Sequence, residues 1–357
     1  MPIQRSSNSR NSQKVFIGLD VHLKQWNVCI VHNGIRHKAF QQSPTVDCLM
    51  AHLHRYYPGM EYHSAYEAGV CGASIHYSLE AAGVRNIIFN AADIPQKNRE
   101  KSRKTDAVDA SKIARELANG ELDCIHIPPQ WRMADRNLLR VRAAQVSDLK
   151  RTKCRIRHFL HTNGLRIPQE HGGGRWTQAF LAWLSDTASS VDASTGEALE
   201  CMLRHMTALL DEHRKLNRRL LELMLTDRYR ADFALLRTVP GVGAVTAVSI
   251  LLECGDLSDF PSAEKFCAFV GLVPDLDRSD SHDGYRGITR RRHGALRYML
   301  TECAWRAVRE DNHLSGLYAA YSRRMPAVKA IVKIAYKLAK IIKFVLKNKT
   351  AYVQQQQ

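Results

Sequence analysis

Four carboxylates are placed so that they could share one task. Asp20 closes the apolar run VFIGLD, Glu67 closes EYHSAYE, and Asp106 and Asp109 lie three apart within TDAVDASKIARELANG. Side chains three apart on a helix share a face, so the last two acids lie together near a helix N-terminus. Acids gathered from three elements repel one another, and a divalent cation is the usual remedy. Carboxylate oxygens are hard ligands that suit Mg²⁺, or Mn²⁺ in its place, rather than zinc. A pair of such ions about 3.5–4 Å apart clamps the attacking and leaving oxygens of a phosphoryl transfer. The sequence leaves open whether one ion or two would bind. Each acid alone has a plainer role, as a strand-end cap, a buried hydrogen-bonded acid or a first-turn acid favoured by the helix dipole. The functional reading comes from the set and its order.

The elements that must position these acids can be read from the flanking patterns. VFIGLD, WNVCIVHNG and IRHKAFQQ are three short β-branched or apolar runs, the second and third joined by Asn33-Gly34, a hairpin signal. A helix is expected over 45–57, then EYHSAYEA as a fourth strand, a helix over 73–83, and NIIFN as a fifth strand. The expected order is β-β-β-α-β-α-β. The basic stretch QKNREKSRK precedes the acidic helix, for which Thr105 is the expected N-cap and Gly120 the stop. Pro128 and Pro129 then break the chain. Residues 132–165 and 194–228 show long, charged helical periodicity, as in an extended hairpin or coiled coil. A third region begins with TVPGVGAVTAVSILLECG and runs through GLVPDLDRSDSHDGYRG into further helices.

The expected organisation is a disordered N-terminus over 1–13, an RNase H-like α/β domain over 14–127, and a helical or coiled-coil domain over 128–230. A mostly helical domain with a serine loop follows over 231–350, and a disordered tail over 351–357.

GLDVH after one strand, YEAG after another and KTDAVDA opening a helix occur in the order an RNase H-like metal site requires. Together they resemble the DEDD transposases of insertion-sequence family one hundred and ten, its eleven-hundred-and-eleven subgroup included. The resemblance runs from about Val15 to about Lys347. It implies a catalytic half like that of the junction resolvase RuvC, with Asp20, Glu67, Asp106 and Asp109 as both the catalytic and the metal-binding acids. It also aligns Ser279 in GLVPDLDRSDSHDGYRG with the family's nucleophilic serine, which would form a covalent phosphoserine link to DNA. Where the family usually has Gly after that serine, this chain has Asp280 and then Ser281, which is the alternative nucleophile. A noncoding bridge RNA pairing with donor and target DNA is implied as guide. Homodimers joining into homotetramers with composite active sites are implied as the assembly. A structure-specific endonuclease using metal-activated water, and a non-enzymatic nucleic-acid scaffold, are the alternatives.

PGVG at 240–243 resembles a helix-hairpin-helix turn, in which the backbone amides of Gly241 and Gly243 would be free for a phosphate. A simple helix-helix turn is the other reading.

The charge balance points the same way. The 357-residue chain has 52 Lys and Arg against 35 Asp and Glu, a net charge of +17, which favours a polyanionic partner. From Gly284 to Lys349 there are sixteen Lys and Arg against Glu302, Glu310 and Asp311. Arg286, Arg290, Arg291, Arg292 and Arg297 flank the serine, and Lys97, Arg99, Lys101, Arg103 and Lys104 precede the acidic helix; both groups are candidate phosphate contacts. Lys329, Lys333, Lys337, Lys340, Lys343 and Lys347 fall on one helical stripe able to track a phosphate backbone. The nine cysteines are scattered, without zinc spacing, and read as reduced thiols. The polar start and the absence of a long apolar run favour a cytoplasmic protein with no membrane partner.

Overall fold

A computed structural model describes residues 13–90, 106–172, 175–279, 282–289 and 292–354; the side chains of 106–108, 275–279 and 282–287 lie outside that description. The chain divides into two compact units, residues 1–130 and 131–357.

The first unit is built on one five-stranded sheet. Its elements are β1 (Lys14–Val21), β2 (Trp26–His32), β3 (Ile35–Gln42), α1 (Val46–Tyr56), β4 (Glu61–Glu67), α2 (Ser74–Ala81), β5 (Arg85–Phe89) and α3 (Asp106–Asn119). This is the order expected from the sequence, and the mixed sheet agrees with an RNase H-like α/β fold. The strand order is β3-β2-β1-β4-β5; β1 runs antiparallel to β2 and parallel to β4. Asn33 and Gly34 turn the β2–β3 hairpin with φ of 49° and 75°, both in the left-handed region that a two-residue turn of this type requires.

Strand alternation gives the sheet two buried faces. Val15, Ile17, Leu19 and Tyr66 pack toward Leu49 and Leu53 of α1 and Leu79 of α2. The opposite face, with Cys29, Val31 and Ala65, packs against Ala110, Ile113 and Ala114 of α3. Gly18 is where α3 comes closest. A Cβ there would overlap Ala110 O and Ala114 N and stand 3.0 Å from Ala114 Cα. Only glycine allows the helix to lie directly on the central strand.

The second unit contains α4 (Gln130–Thr162, whose first residue belongs to the first unit), α5 (Gln178–Ser190), α6 (Ala193–Met224), α7 (Arg230–Thr238), α8 (Ala244–Cys254), α9 (Ala263–Val270), β6 (Pro274–Ser279), β7 (His282–Ile288), α10 (Gly294–Glu310), α11 (Asn312–Ser322) and α12 (Ala327–Asn348). One apolar cluster joins α4, α5 and α6 through Ile156, Leu160, Phe180, Leu184 and Leu199. A larger one gathers α7 to α12 around Leu236, Ile250, Phe266, Leu300 and Leu338.

Three expectations are corrected here. The serine segment is not a loop: β6 and β7 pair as an antiparallel ribbon, with Ser279 opposite His282. The tail does not lose its packing at 351, because the Tyr352 hydroxyl donates to Asp311 Oδ2 at 2.7 Å and its amide donates to Thr238 Oγ1 at 2.9 Å. The lysine stripe on α12 is interrupted, since Lys343 is buried and donates to the carbonyls of Leu257, at 3.1 Å, and Phe260. Lys340 forms an ion pair with Glu264 at 2.7 Å, while Lys329, Lys333, Lys337 and Lys347 stay exposed. Among the described residues, no helix is long and apolar enough to cross a membrane.

Candidate active site

The register of two parallel strands brings the first two acids together. Gly18 pairs with Ala65 and Leu19 with Tyr66, so the next step places Asp20 beside Glu67 at the C-terminal ends of β1 and β4. Residues paired across neighbouring strands point to the same face. Ala65 and Glu67 are two apart, as are Gly18 and Asp20, so both acids share the α3 face with Ala65 and Gly18. Asp109 immediately precedes Ala110, whose carbonyl lies over Gly18, and it lies four residues before Ile113, which packs on Ala65. Asp106 is the first residue of α3, and its side chain lies outside the described residues. Two neighbouring strand ends and the start of the covering helix thus bring the acids toward the same end of the sheet.

Each strand end is braced. Ala68 N–H donates to Phe89 O at 2.9 Å, which holds the backbone just after Glu67. The fully buried Tyr66 hydroxyl donates to Gly72 O at 2.9 Å and accepts from His76 N at 3.2 Å, pinning the turn that leaves β4. Burial pushes that phenol up to about 12, so it stays protonated as a donor. Asp20 has a partner that the sequence reading missed: His22 Nε2 lies 3.2 Å and 3.3 Å from its two carboxylate oxygens. The available signal was the histidine two residues on in GLDVH.

Carboxylate oxygens are the donor type that Mg²⁺ takes, and the acids at these strand ends and helix start are of that type. Among the described residues, no three His, Cys, Asp or Glu side chains form a complete metal-binding group.

The other predicted contacts lie in different surroundings. Gly241 has φ of 74°, and its amide is not free for phosphate: it donates to Glu310 Oε2 at 2.7 Å, and the residue packs against the α10 backbone at Cys303 and Ala307. That expectation is corrected, because the Glu310 carboxylate occupies the amide. Gly243 is the N-cap of α8 and has no side-chain cap bond. Arg292 is exposed with its Cβ against Gly271, and half-buried Arg297 reaches Gly271 O at 3.5 Å. Both stand beside the β6–β7 ribbon, which is closed at its base by Thr289 N–H donating to Val273 O at 3.2 Å. Lys97, Arg99, Lys101, Arg103, Lys104, Thr105, Asp280, Ser281, Arg290 and Arg291 lie outside the described residues, as do the side chains of Ser279 and Arg286.

Comparison with known proteins matches both halves of the chain. Residues 17–163 match a transposase family model of the DEDD IS110 type, and residues 233–319 match the model described as Transposase IS116/IS110/IS902 family. The chain is 24% identical over 310 residues to the transposase for insertion sequence element IS1533 of Leptospira borgpetersenii, covering 82% of this chain and 85% of that one. It is 25% identical over 288 residues to the transposase for insertion sequence element IS1111A of Coxiella burnetii, covering 79% and 77%. The protein y4qE of Sinorhizobium fredii is 30% identical over 241 residues, 67% of this chain; the match spans only 57% of y4qE.

Proposed function

Since the chain belongs to the IS110 family of DEDD transposases, we propose that it cuts and rejoins DNA strands in the movement of an insertion sequence. The observation that carries this reading is the placement of Asp20 beside Glu67 on adjacent parallel strand ends, facing the helix that bears Asp109. In this proposal Asp20, Glu67, Asp106 and Asp109 hold Mg²⁺, which when bound neutralises charge at a phosphodiester. The His22 ring N–H bonded to Asp20 fixes that carboxylate's orientation.

Ser279 supplies the nucleophile. Its Oγ bonds to phosphorus as the bond from phosphorus to the leaving sugar oxygen breaks; the serine proton is released and the leaving oxygen is protonated. Attack by a sugar hydroxyl of another strand reverses these bonds, freeing the serine and sealing the DNA. The ribbon carries Ser279 at a strand end, a better-defined support for a nucleophile than a free loop. Arg292 and Arg297, beside the ribbon, are suited to hold the flanking phosphates. A noncoding bridge RNA that pairs with donor and target DNA is the guide in this reading, and homotetramers built from dimers supply the acids and the serine from different subunits.

The test is a strand-transfer assay with the purified protein, its co-purifying RNA sequenced and returned to the reaction with Mg²⁺. Asp20→Asn is expected to bind DNA without cutting it. Ser279→Ala is expected to bind and form no protein-linked DNA. Continued cutting by Ser279→Ala would replace the recombinase with a water-using nuclease, and continued cutting by Asp20→Asn would remove the metal mechanism. RNA without loops complementary to the DNA would remove the guide alone.

A further inference from the structure

Edge strand β3 and helix α1 carry a feature that the acidic cleft does not use. The rings of Phe40 and His52 lie 4.2 Å apart and tilted by 31°, and those of His52 and Tyr56 lie 4.6 Å apart at 41°. The three rings form one run from strand to helix, with Phe40 and His52 half-buried and Tyr56 52% exposed at the outer end. The Lys38 ammonium stands 4.6 Å from the Tyr56 ring centre and 5.5 Å from that of Phe40, and the Arg55 guanidinium stands 5.4 Å from Tyr56.

The charge beside the rings is one-sided. Lys38 and Arg55 stand over them, and β3 and α1 together contain a single acid, Asp47. His52 Nε2 is buried without a hydrogen-bond partner among the described residues, so the tilted contacts with Phe40 and Tyr56 set that ring's place. Burial, and then the charges of Lys38 and Arg55, hold the His52 imidazole below its ordinary pKa, which keeps the ring neutral near pH 7 and suited to stacking.

We propose that this face binds an unpaired stretch of nucleic acid, with a base stacked on the Tyr56 end of the ring run and the adjoining phosphates held by Lys38 and Arg55. The chemistry that fits is the alternation of aromatic face and cation found where single strands bind: every base offers a π face, and its phosphates lie within a lysine's reach of it. A duplex offers no free base face, so the preference is for unpaired strands. An acidic peptide would use the cations but bring no base to lie against the Tyr56 ring. The inference stands apart from the acidic cleft and does not depend on cleavage there.

The test uses the full chain with short single strands carrying photoreactive 5-iodouracil, as DNA in one arm and RNA in the other, followed by mapping of the linked peptide. The expected result is an adduct on the segment containing Tyr56. It should persist in Asp20→Asn and in Tyr56→Phe and vanish in Tyr56→Ala. Adduct formation in only one arm identifies DNA or RNA as the source, and in both arms an unpaired strand of either kind. Tyr56→Ala combined with Lys38→Ala is expected to weaken single-strand binding by roughly five- to a hundredfold relative to duplex binding. Adducts confined to other parts of the chain, or an acidic peptide that competes where neither strand reacts, would overturn the proposal. Circular dichroism of the exposed-site variants checks that the fold is kept.

Discussion

At the residue scale, the candidate site depends on one glycine as much as on its acids. Gly18 is the point at which α3 rests on β1, and α3 carries Asp106 and Asp109 to the strand end. Gly18→Ala would place a methyl group against Ala110 O and Ala114 N, which are backbone atoms and cannot swing aside. Overpacking of this kind costs about 1–3 kcal/mol. Urea unfolding should show that loss, and cleavage should fall further than stability does, because the acids move with the helix. Gly18→Ala with unchanged stability would mean that α3 lies farther from the strand. His22 poses a different question. Since its ring holds Asp20 from outside the acid set, His22→Ala should lower cleavage by about 10- to 100-fold, the usual effect of losing a ligand's orienting partner, with little change in unfolding. Full activity in His22→Ala would reduce that contact to a surface hydrogen bond. The strand ends and the helix that carry the candidate acids were legible because each is a patterned element. The Phe40, His52 and Tyr56 rings were not, because their run joins a strand to a helix and neither segment shows it alone.

At the scale of elements, signals that act within a few residues were read and those that depend on distant partners were not. Asn33-Gly34 specifies its own turn, and the apolar or β-branched runs of β1 and β2 mark their burial. PDLDRS and HDGYRGI have no such alternation, and they become strands by pairing with each other. Lys343 shows the same limit on a helix. Spacing alone puts it with the exposed lysines of α12, but the segment after α8 folds over it and presents the carbonyls of Leu257 and Phe260 to its ammonium. Lys343→Met keeps the aliphatic length and removes both bonds, so two carbonyls lose their partner. The expected cost is about 1–3 kcal/mol in urea unfolding. Lys337→Met on the exposed side should stay within about 0.5 kcal/mol and weaken DNA binding instead. Equal stability losses in the two variants would show that the stripe is one continuous surface after all.

At the scale of the whole molecule, each unit has its own hydrophobic core, and the second is also fastened by buried charge. Composition gave the excess of positive charge, but the positions where cations serve the fold emerge only from packing. Arg136 donates to the carbonyls of Leu252 and Glu253, at 3.1 Å and 2.6 Å, at the C-terminal end of α8, where the helix dipole favours a cation. Its Nε is also 3.1 Å from Glu253 Oε2, and His293, the N-cap of α10, stands 3.5 Å from the same oxygen. Burial pushes the Glu253 carboxyl up, but the hydrogen bond from His293 and the charges of Arg136, His293 and Arg140 outweigh it and hold the group below its ordinary value. A carboxylate with a lowered folded-state pKa binds its proton more weakly in the folded state than in the unfolded one. Its stabilisation is therefore complete above the ordinary glutamate range and is lost as pH falls through the lowered value. The second unit should accordingly become less stable on acidification below about pH 4.5, and Glu253→Gln should be less stable at neutral pH and lose part of that acid dependence. Thermal unfolding of the two proteins from pH 7 down to pH 3 tests this, because parallel curves would mean that the α8 to α10 junction is held by packing and not by this network.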